Sequence, residues 1–236
     1  MRKYPFVLSI PKAGGHLILK MLSLFPEPPP CQWSDHVISF GMRNPLYFDS
    51  SVMKILLVRD LRDVFVSLVY WFDAQIEDGL IKRHLASKQK GIDELIQHWK
   101  TCSFDEKLTI VLEDGEKSLY YSRFMEENIE EMCHLLNVQN TYVIHFEDLV
   151  GPKGGGTLEK QWESIYFFAS LFSIELTQEK VEEIGEKMFG NSYPSDFNRT
   201  FRKGKIGGWK DAFSEKNLQI FNARYGHFQQ ALGYFK

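Results

Sequence analysis

Three short apolar runs punctuate the chain: Phe6-Val-Leu-Ser-Ile10, Met53-Lys-Ile-Leu-Leu-Val58 and Thr141-Tyr-Val-Ile-His-Phe146. None keeps a strict polar-apolar alternation, so each predicts a strand covered on both faces, as in a parallel sheet. Between and after them the period changes. Leu17, Ile18, Met21, Leu22 and Leu24 recur at helical spacing, and further helical patterns cover about 63–72, 92–99, 117–136, 159–172, 177–188 and 214–228. Strand alternating with helix predicts an α/β fold with a central, mostly parallel sheet flanked by helices. No internal repeat breaks the chain, and 236 residues suffice for one full-sized core, so a single domain over 1–236 is expected.

The irregular stretches are equally informative. Pro-Glu-Pro-Pro-Pro at 26–30 should stop the first helix, and Gly-Pro-Lys-Gly-Gly-Gly at 151–156 is expected to form a mobile surface loop. The segment 190–208 mixes Gly, Asn, Ser, Pro and Arg and is long for a mere connection.

Composition narrows the field. A net charge of -3 argues against a general nucleic-acid binder, so any anion site must come from local clustering of Lys and Arg. Three widely spaced cysteines, Cys31, Cys102 and Cys133, offer no paired zinc or thiol-exchange motif and suit a reducing compartment. The chain enters its first strand without a signal-like apolar stretch and has no run of membrane-spanning length, so a soluble cytoplasmic protein is expected.

Three cationic elements carry the candidate chemistry. Ser9-Ile-Pro-Lys-Ala-Gly-Gly-His16 joins a strand to a helix, where backbone N–H groups, two glycines and Lys12 can cradle an anion. Lysine precedes the glycines here, unlike GxxxxGK[ST], which disfavours a magnesium-dependent NTPase; the plainer reading is a strand-to-helix turn with a solvated lysine. Arg59 directly follows the second strand, and Ser67 lies eight residues on in a helix capped by Asp60 or Asp63; both can face one phosphate. Alone, Arg59 could equally form a surface salt bridge with Asp60 or Asp63. The third element, Phe-Arg-Lys-Gly-Lys-Ile-Gly-Gly-Trp at 201–209, crowds Arg202, Lys203 and Lys205 among three glycines, with Trp209 as its core anchor.

Together these elements resemble the sulfotransferase family, which uses 3′-phosphoadenosine 5′-phosphosulfate (PAPS). Pro11, Lys12 and Gly14 resemble its 5′-phosphosulfate motif. Val58-Arg59-Asp-Leu-Arg-Asp63-Val64 through Ser67 is similar to its 3′-phosphate motif, and Arg202-Lys203-Gly204 with Gly207 and Trp209 resembles its RKGxxGxW signature. The three occur in the family's order and span nearly the whole chain. The resemblance implies a three-layer, P-loop NTPase-like fold and PAPS as donor, with adenosine 3′,5′-bisphosphate (PAP) as product and no metal. Lys12, Ala13, Gly14, Gly15, His16, Arg59, Ser67, Arg202, Lys203 and Gly204 would bind it. Where relatives often place two hydroxyl residues and a tryptophan after the loop glycine, this chain has Gly15, His16 and Leu17. Phe189, Tyr193 or Phe201 could supply another stacking face for adenine.

For transfer of a sulfuryl group to a hydroxyl, Lys12 is the candidate to stabilise the leaving phosphate. The family interval to Arg59 points to His36 as general base; His16 and an unassigned carboxylate are the alternatives. Glu147-Asp148 is read as helix capping or bracing. The acceptor would be a small-molecule or carrier-bound hydroxyl. Aromatic residues Trp33, Phe40, Tyr47, Tyr70, Trp71 and Phe72 hint that it is hydrophobic. A nucleotide or small-molecule kinase, and a non-catalytic PAPS- or PAP-binding protein, are the competing readings.

Overall fold

The computed structural model describes residues 5–27, 32–33, 49–81, 91–113, 120–190 and 204–234. Contacts divide the chain into two compact units: Met1–Arg59 with His134–Ile206, and Asp60–Cys133 with Gly207–Lys236.

The first unit is built on a parallel sheet of four strands, β1 (Phe6–Ser9), β2 (Gln32–Trp33), β3 (Lys54–Val58) and β4 (Thr141–His145), in the order β2-β1-β3-β4. Phe6 pairs with Lys54 and Ser9 with Leu57, while Lys54 pairs with Thr141 and Val58 with His145. Each residue of β1 and β3 is buried, as their largely apolar runs require. Ser9 and Lys54 are the polar exceptions, and the Lys54 ammonium donates to the carbonyls of Asp49 (3.0 Å) and Val52 (3.1 Å). At β4 the pattern loosens: Tyr142 and Val143 are exposed.

Helices α1 (Gly15–Ser23), α8 (Leu158–Leu171) and α9 (Gln178–Met188) close one face of this sheet. Val7, Ile55, Leu57 and Ile144 from the strands pack with Ile18, Met21, Leu22, Ile165, Phe168, Val181 and Ile184. Each such side chain taken from water contributes roughly 1.5–3 kcal/mol. Thr157 and Thr177 cap α8 and α9 by accepting N–H groups three residues on. At the other end of α1, Lys20 donates to the carbonyls of Phe189 and Gly190, which pins the helix to the end of α9.

The second unit is helical. It holds α2 (Leu61–Glu77), α3 (Ile92–Thr101), α4 (Phe104–Leu112), most of α5 (Tyr120–Leu135), a 3-10 turn at Gly208–Asp211 and α10 (Glu215–Ala231). Phe65 packs on Tyr225 at 4.7 Å and Phe72 on Trp99 at 5.4 Å between ring centroids. Buried polar residues bind its ends together: the Asn217 amide donates to Asp105, and Gln229 donates to Asp60 while accepting the Leu61 N–H.

The predicted strands and helices all lie where the pattern puts them, within a few residues. Two local expectations change. The third apolar run ends as strand at His145, because Phe146 opens a short helix, α6 (Phe146–Leu149). The glycine-rich stretch 151–156 is not a mobile loop. It forms the helical turn α7 (Gly151–Gly154), closed by Gly155 Nα–H on Pro152 O at 3.1 Å and Gly156 Nα–H on Gly151 O at 2.8 Å. The helix α4 lies outside the predicted segments, although Phe104, Leu108, Val111 and Leu112 recur at helical spacing; a capping box between Ser103 and Glu106 starts it. Among the described residues no helix is long and apolar enough to cross a membrane.

Candidate functional site

In the strand order β2-β1-β3-β4 the chain leaves β1 toward one side and returns to its other side at β3. The carboxyl ends of β1 and β3 therefore flank a topological switch point, where open α/β sheets form ligand clefts. The opening loop leaves the first of these ends, and Arg59 directly follows the second.

The opening loop is a tight turn. Ala13 Nα–H bonds to Ile10 O at 3.3 Å, Pro11 takes the second position, and Lys12 takes the third with φ of +67°. That is the type II arrangement, in which the third position normally goes to glycine. Holding a lysine there strains the backbone by about 1–2 kcal/mol, and such strain persists where the surrounding contacts fix it. Gly14 follows with φ of +100° and acts as N-cap of α1, with no side chain capping that end. Geometry leaves the first N–H groups of a helix without an intrahelical carbonyl, so this end presents donors and a positive dipole. Gly15 is buried and His16 half-buried at the first two helical positions.

Gly14 is required sterically as well. A Cβ there would sit 2.5 Å from the Phe146 ring. The same ring carries the Arg59 guanidinium, whose Cζ lies 4.2 Å from its centroid, a cation–π contact. From that platform Arg59 Nη1 donates to Lys12 O at 3.1 Å and Nη2 to Lys205 O at 3.3 Å. One guanidinium thus ties the opening loop to the C-terminal basic segment. Gly204, with φ of +58°, begins the described part of that segment.

Charge follows from this packing. Burial, reinforced by the positive charge of Arg59, lowers the Lys12 ammonium from 10.5 to about 8. Two cations that repel each other at a helix N-terminus make a site that an anion would relieve.

Asp60 caps α2 and pairs with Arg62 at 2.7 Å, and Asp63 accepts the Nα–H of Gly207 (2.7 Å) and of Trp209 (2.9 Å). The Arg62 guanidinium lies 3.7 Å from the Trp209 ring centroid and Phe213 meets the same ring edge-on, so the half-buried tryptophan packs beside its turn rather than in a core.

The structure therefore brings together Lys12, Ala13, Gly14, Gly15, His16, Arg59 and the turn at 204–206 in the first unit. Ser67 lies half-buried in α2, within the second unit. His36, Arg202 and Lys203 lie outside the described residues, as do Tyr193 and Phe201. Phe189 is half-buried at the end of α9. Phe146 escaped the sequence reading; its only local signal is an aromatic residue directly after a strand. Glu147 and Asp148 fall in the first turn of α6, where their charge suits the helix dipole.

Comparison with known proteins agrees at the level of fold. No family model matches the chain, and no curated protein matches it. Among solved structures it is similar to mouse sulfotransferase SULT7A1 complexed with PAP, at a TM-score of 0.59 and 15% sequence identity. The similarity covers 98% of this chain and 88% of that one. The chain has the α/β, P-loop-like fold of a sulfotransferase, with its parallel sheet flanked by helices.

Proposed function

We propose that this protein is a PAPS-dependent sulfotransferase acting on a hydroxyl of a small, hydrophobic or carrier-bound acceptor. In this reading residues 1–236 work as one domain in the cytoplasm, need no metal and bind no nucleic acid. The observation that carries the proposal is the Arg59 guanidinium, which bonds the opening loop at Lys12 O and the basic segment at Lys205 O. That junction gathers the cations needed for a ligand phosphorylated at both ends of its ribose. The fold shared with a PAP-bound sulfotransferase supports it.

The site fits such a ligand. The N-terminus of α1, with Ala13, Gly14, Gly15 and His16, would hold the 5′-phosphate, and the glycines let the backbone approach it closely. Arg59, Ser67, Arg202, Lys203 and Gly204 would hold the 3′-phosphate. When bound, PAPS supplies the sulfuryl group and leaves as PAP. Lys12 would neutralise charge growing on the departing phosphate, and a bound anion would raise its lowered pKa, keeping it protonated for that role. His36 accepts the proton of the attacking hydroxyl.

Transfer of sulfur-35 from labelled PAPS to a panel of hydroxyl acceptors tests this function. Activity in the native protein and a fall of roughly 10²–10⁴-fold in His36→Ala, with PAP binding retained, is the expected result. Full activity in that variant would reject His36 as the base. PAP binding without transfer to any acceptor would favour a non-catalytic nucleotide-binding protein, a reading motivated by Gly15, His16 and Leu17 after the loop glycine.

A further inference from the structure

The turn at 151–156 is the most tightly constrained glycine cluster outside the opening loop, and the proposed chemistry makes no use of it. Four of its six residues are glycine, and three have no room for a side chain. A Cβ on Gly151 would meet the Gln161 side chain at 2.5 Å, and one on Gly156 would meet Glu147 O at 2.6 Å. From below, buried Gln161 fixes the turn by donating to Leu149 O at 3.0 Å. Above it lies the basic segment. Gly154 O accepts the Ile206 Nα–H at 2.9 Å, and a Cβ on Gly154 would meet Gly204 O at 2.6 Å. Ile206 also lies over Gly155, 3.1 Å from where a Cβ would be.

The geometry points to a positioning role for this turn: it is the seat that sets the height of residues 204–206, and through them the affinity for a 3′-phosphate. The inference rests on the PAPS-binding reading above and adds to it a determinant of donor specificity that does not touch the ligand. Arg59 holds the segment from one side at Lys205 O, and Gly154 holds it from the other through the Ile206 amide. Two anchors fix a short backbone segment where one would leave it free to tilt. The second anchor works only because position 154 lacks a side chain, since a methyl group there pushes directly against the Gly204 carbonyl. A displacement of that kind moves the 3′-phosphate contacts and leaves the Lys12–His16 loop in place.

The test compares PAP with adenosine 5′-monophosphate, which differ by the 3′-phosphate alone, by titration calorimetry on the full chain. Gly154→Ala is expected to weaken PAP at least tenfold while leaving adenosine 5′-monophosphate within twofold, and to speed hydrogen exchange at the Ile206 amide. Ile206→Ala, which trims the side chain over Gly155 and keeps the backbone bond, should show the same selectivity at a few-fold level and covers the case in which Gly154→Ala does not fold. Gly226→Ala, in an uncrowded part of α10, serves as the control and should alter neither affinity. An unchanged ratio of the two affinities in both test variants, or equal weakening of both ligands, overturns the inference alone. A native protein that binds PAP no tighter than adenosine 5′-monophosphate overturns the PAPS reading and the inference with it.

Discussion

Two glycine-bearing runs leave the same parallel sheet, one after β1 and one after β4, and they are put to opposite uses. Gly14 at the end of the first run opens a nine-residue helix whose N-terminus has no side-chain cap. The second run turns back on itself: Gly155 and Gly156 donate to Pro152 and Gly151, and Gly154 O takes the Ile206 amide. The first opens a helix that no side chain caps, and the second bonds within itself and becomes a support. Glycine content therefore does not distinguish a cradle from a seat. What distinguishes them is whether the following helix starts without a side-chain cap, as α1 does and the Thr157-capped α8 does not, and whether cations converge, as Lys12 and Arg59 do at the first run.

The largest effect should come from attacking the first run. Gly14→Ala forces a side chain into the left-handed region and against the Phe146 ring, a combined cost of about 2–5 kcal/mol that chemical denaturation would read directly. A loss below about 1 kcal/mol would mean that Phe146 yields easily and that the packing of ring on loop does not set the site.

Next in size is Arg59. Arg59→Ala should cost roughly 1.5–3 kcal/mol of PAP binding, a loss of about ten- to hundredfold in Kd. Arg59→Lys should not restore it, because an ammonium cannot reach both Lys12 O and Lys205 O from one stacked plane. Recovery by lysine would reduce Arg59 to a diffuse positive charge and dissolve the contrast between the two runs.

How much of this could be read in advance follows from how local each cause is. β1 and β3 declare themselves because, Ser9 and Lys54 apart, each residue's burial is written in its own apolar side chain, and the Lys12 turn because Pro11 fixes its own backbone and Gly14 permits a left-handed one. The helix α4 is legible in the same way, since Ser103 and Glu106 mark its start and Phe104, Leu108, Val111 and Leu112 recur at helical spacing, but with nine residues it is short enough to be passed over. Phe146 and Gly154 hide for another reason: what each does depends on a partner remote in the chain, Gly14 and Arg59 for one, Gly204 and Ile206 for the other. Asp63 illustrates the same point, since its acceptor role toward Gly207 and Trp209 exists only once the chain has folded.

Smaller effects concern Lys12 itself. Its pKa of about 8 lies below the ordinary 10.5, so the charged form is penalised in the folded state at neutral pH and the penalty fades as pH rises from about 8 toward 10.5. This group thus adds stability with rising pH in that window. A bound anion reverses the shift, so PAP binding at pH 8.5 should take up protons, seen as a binding enthalpy that varies with the ionisation enthalpy of the buffer. No buffer dependence would mean that the anion binds away from Lys12. Lys12→Gly should relieve the backbone strain, leaving the fold more stable by about 1 kcal/mol while weakening PAP. A variant less stable than the native protein would remove the argument that strain is held here for function.

The central claim is that Lys12, Arg59 and the 204–206 segment form one site for an adenosine bearing phosphates at both 3′ and 5′ positions. Thermal unfolding with increasing PAP, set beside ATP with magnesium, tests it most directly. The account predicts stabilisation that grows with PAP concentration, about 2.7 kcal/mol at a hundred times Kd, and a weaker response to ATP with magnesium. Greater stabilisation by ATP with magnesium, or none by PAP, would contradict it.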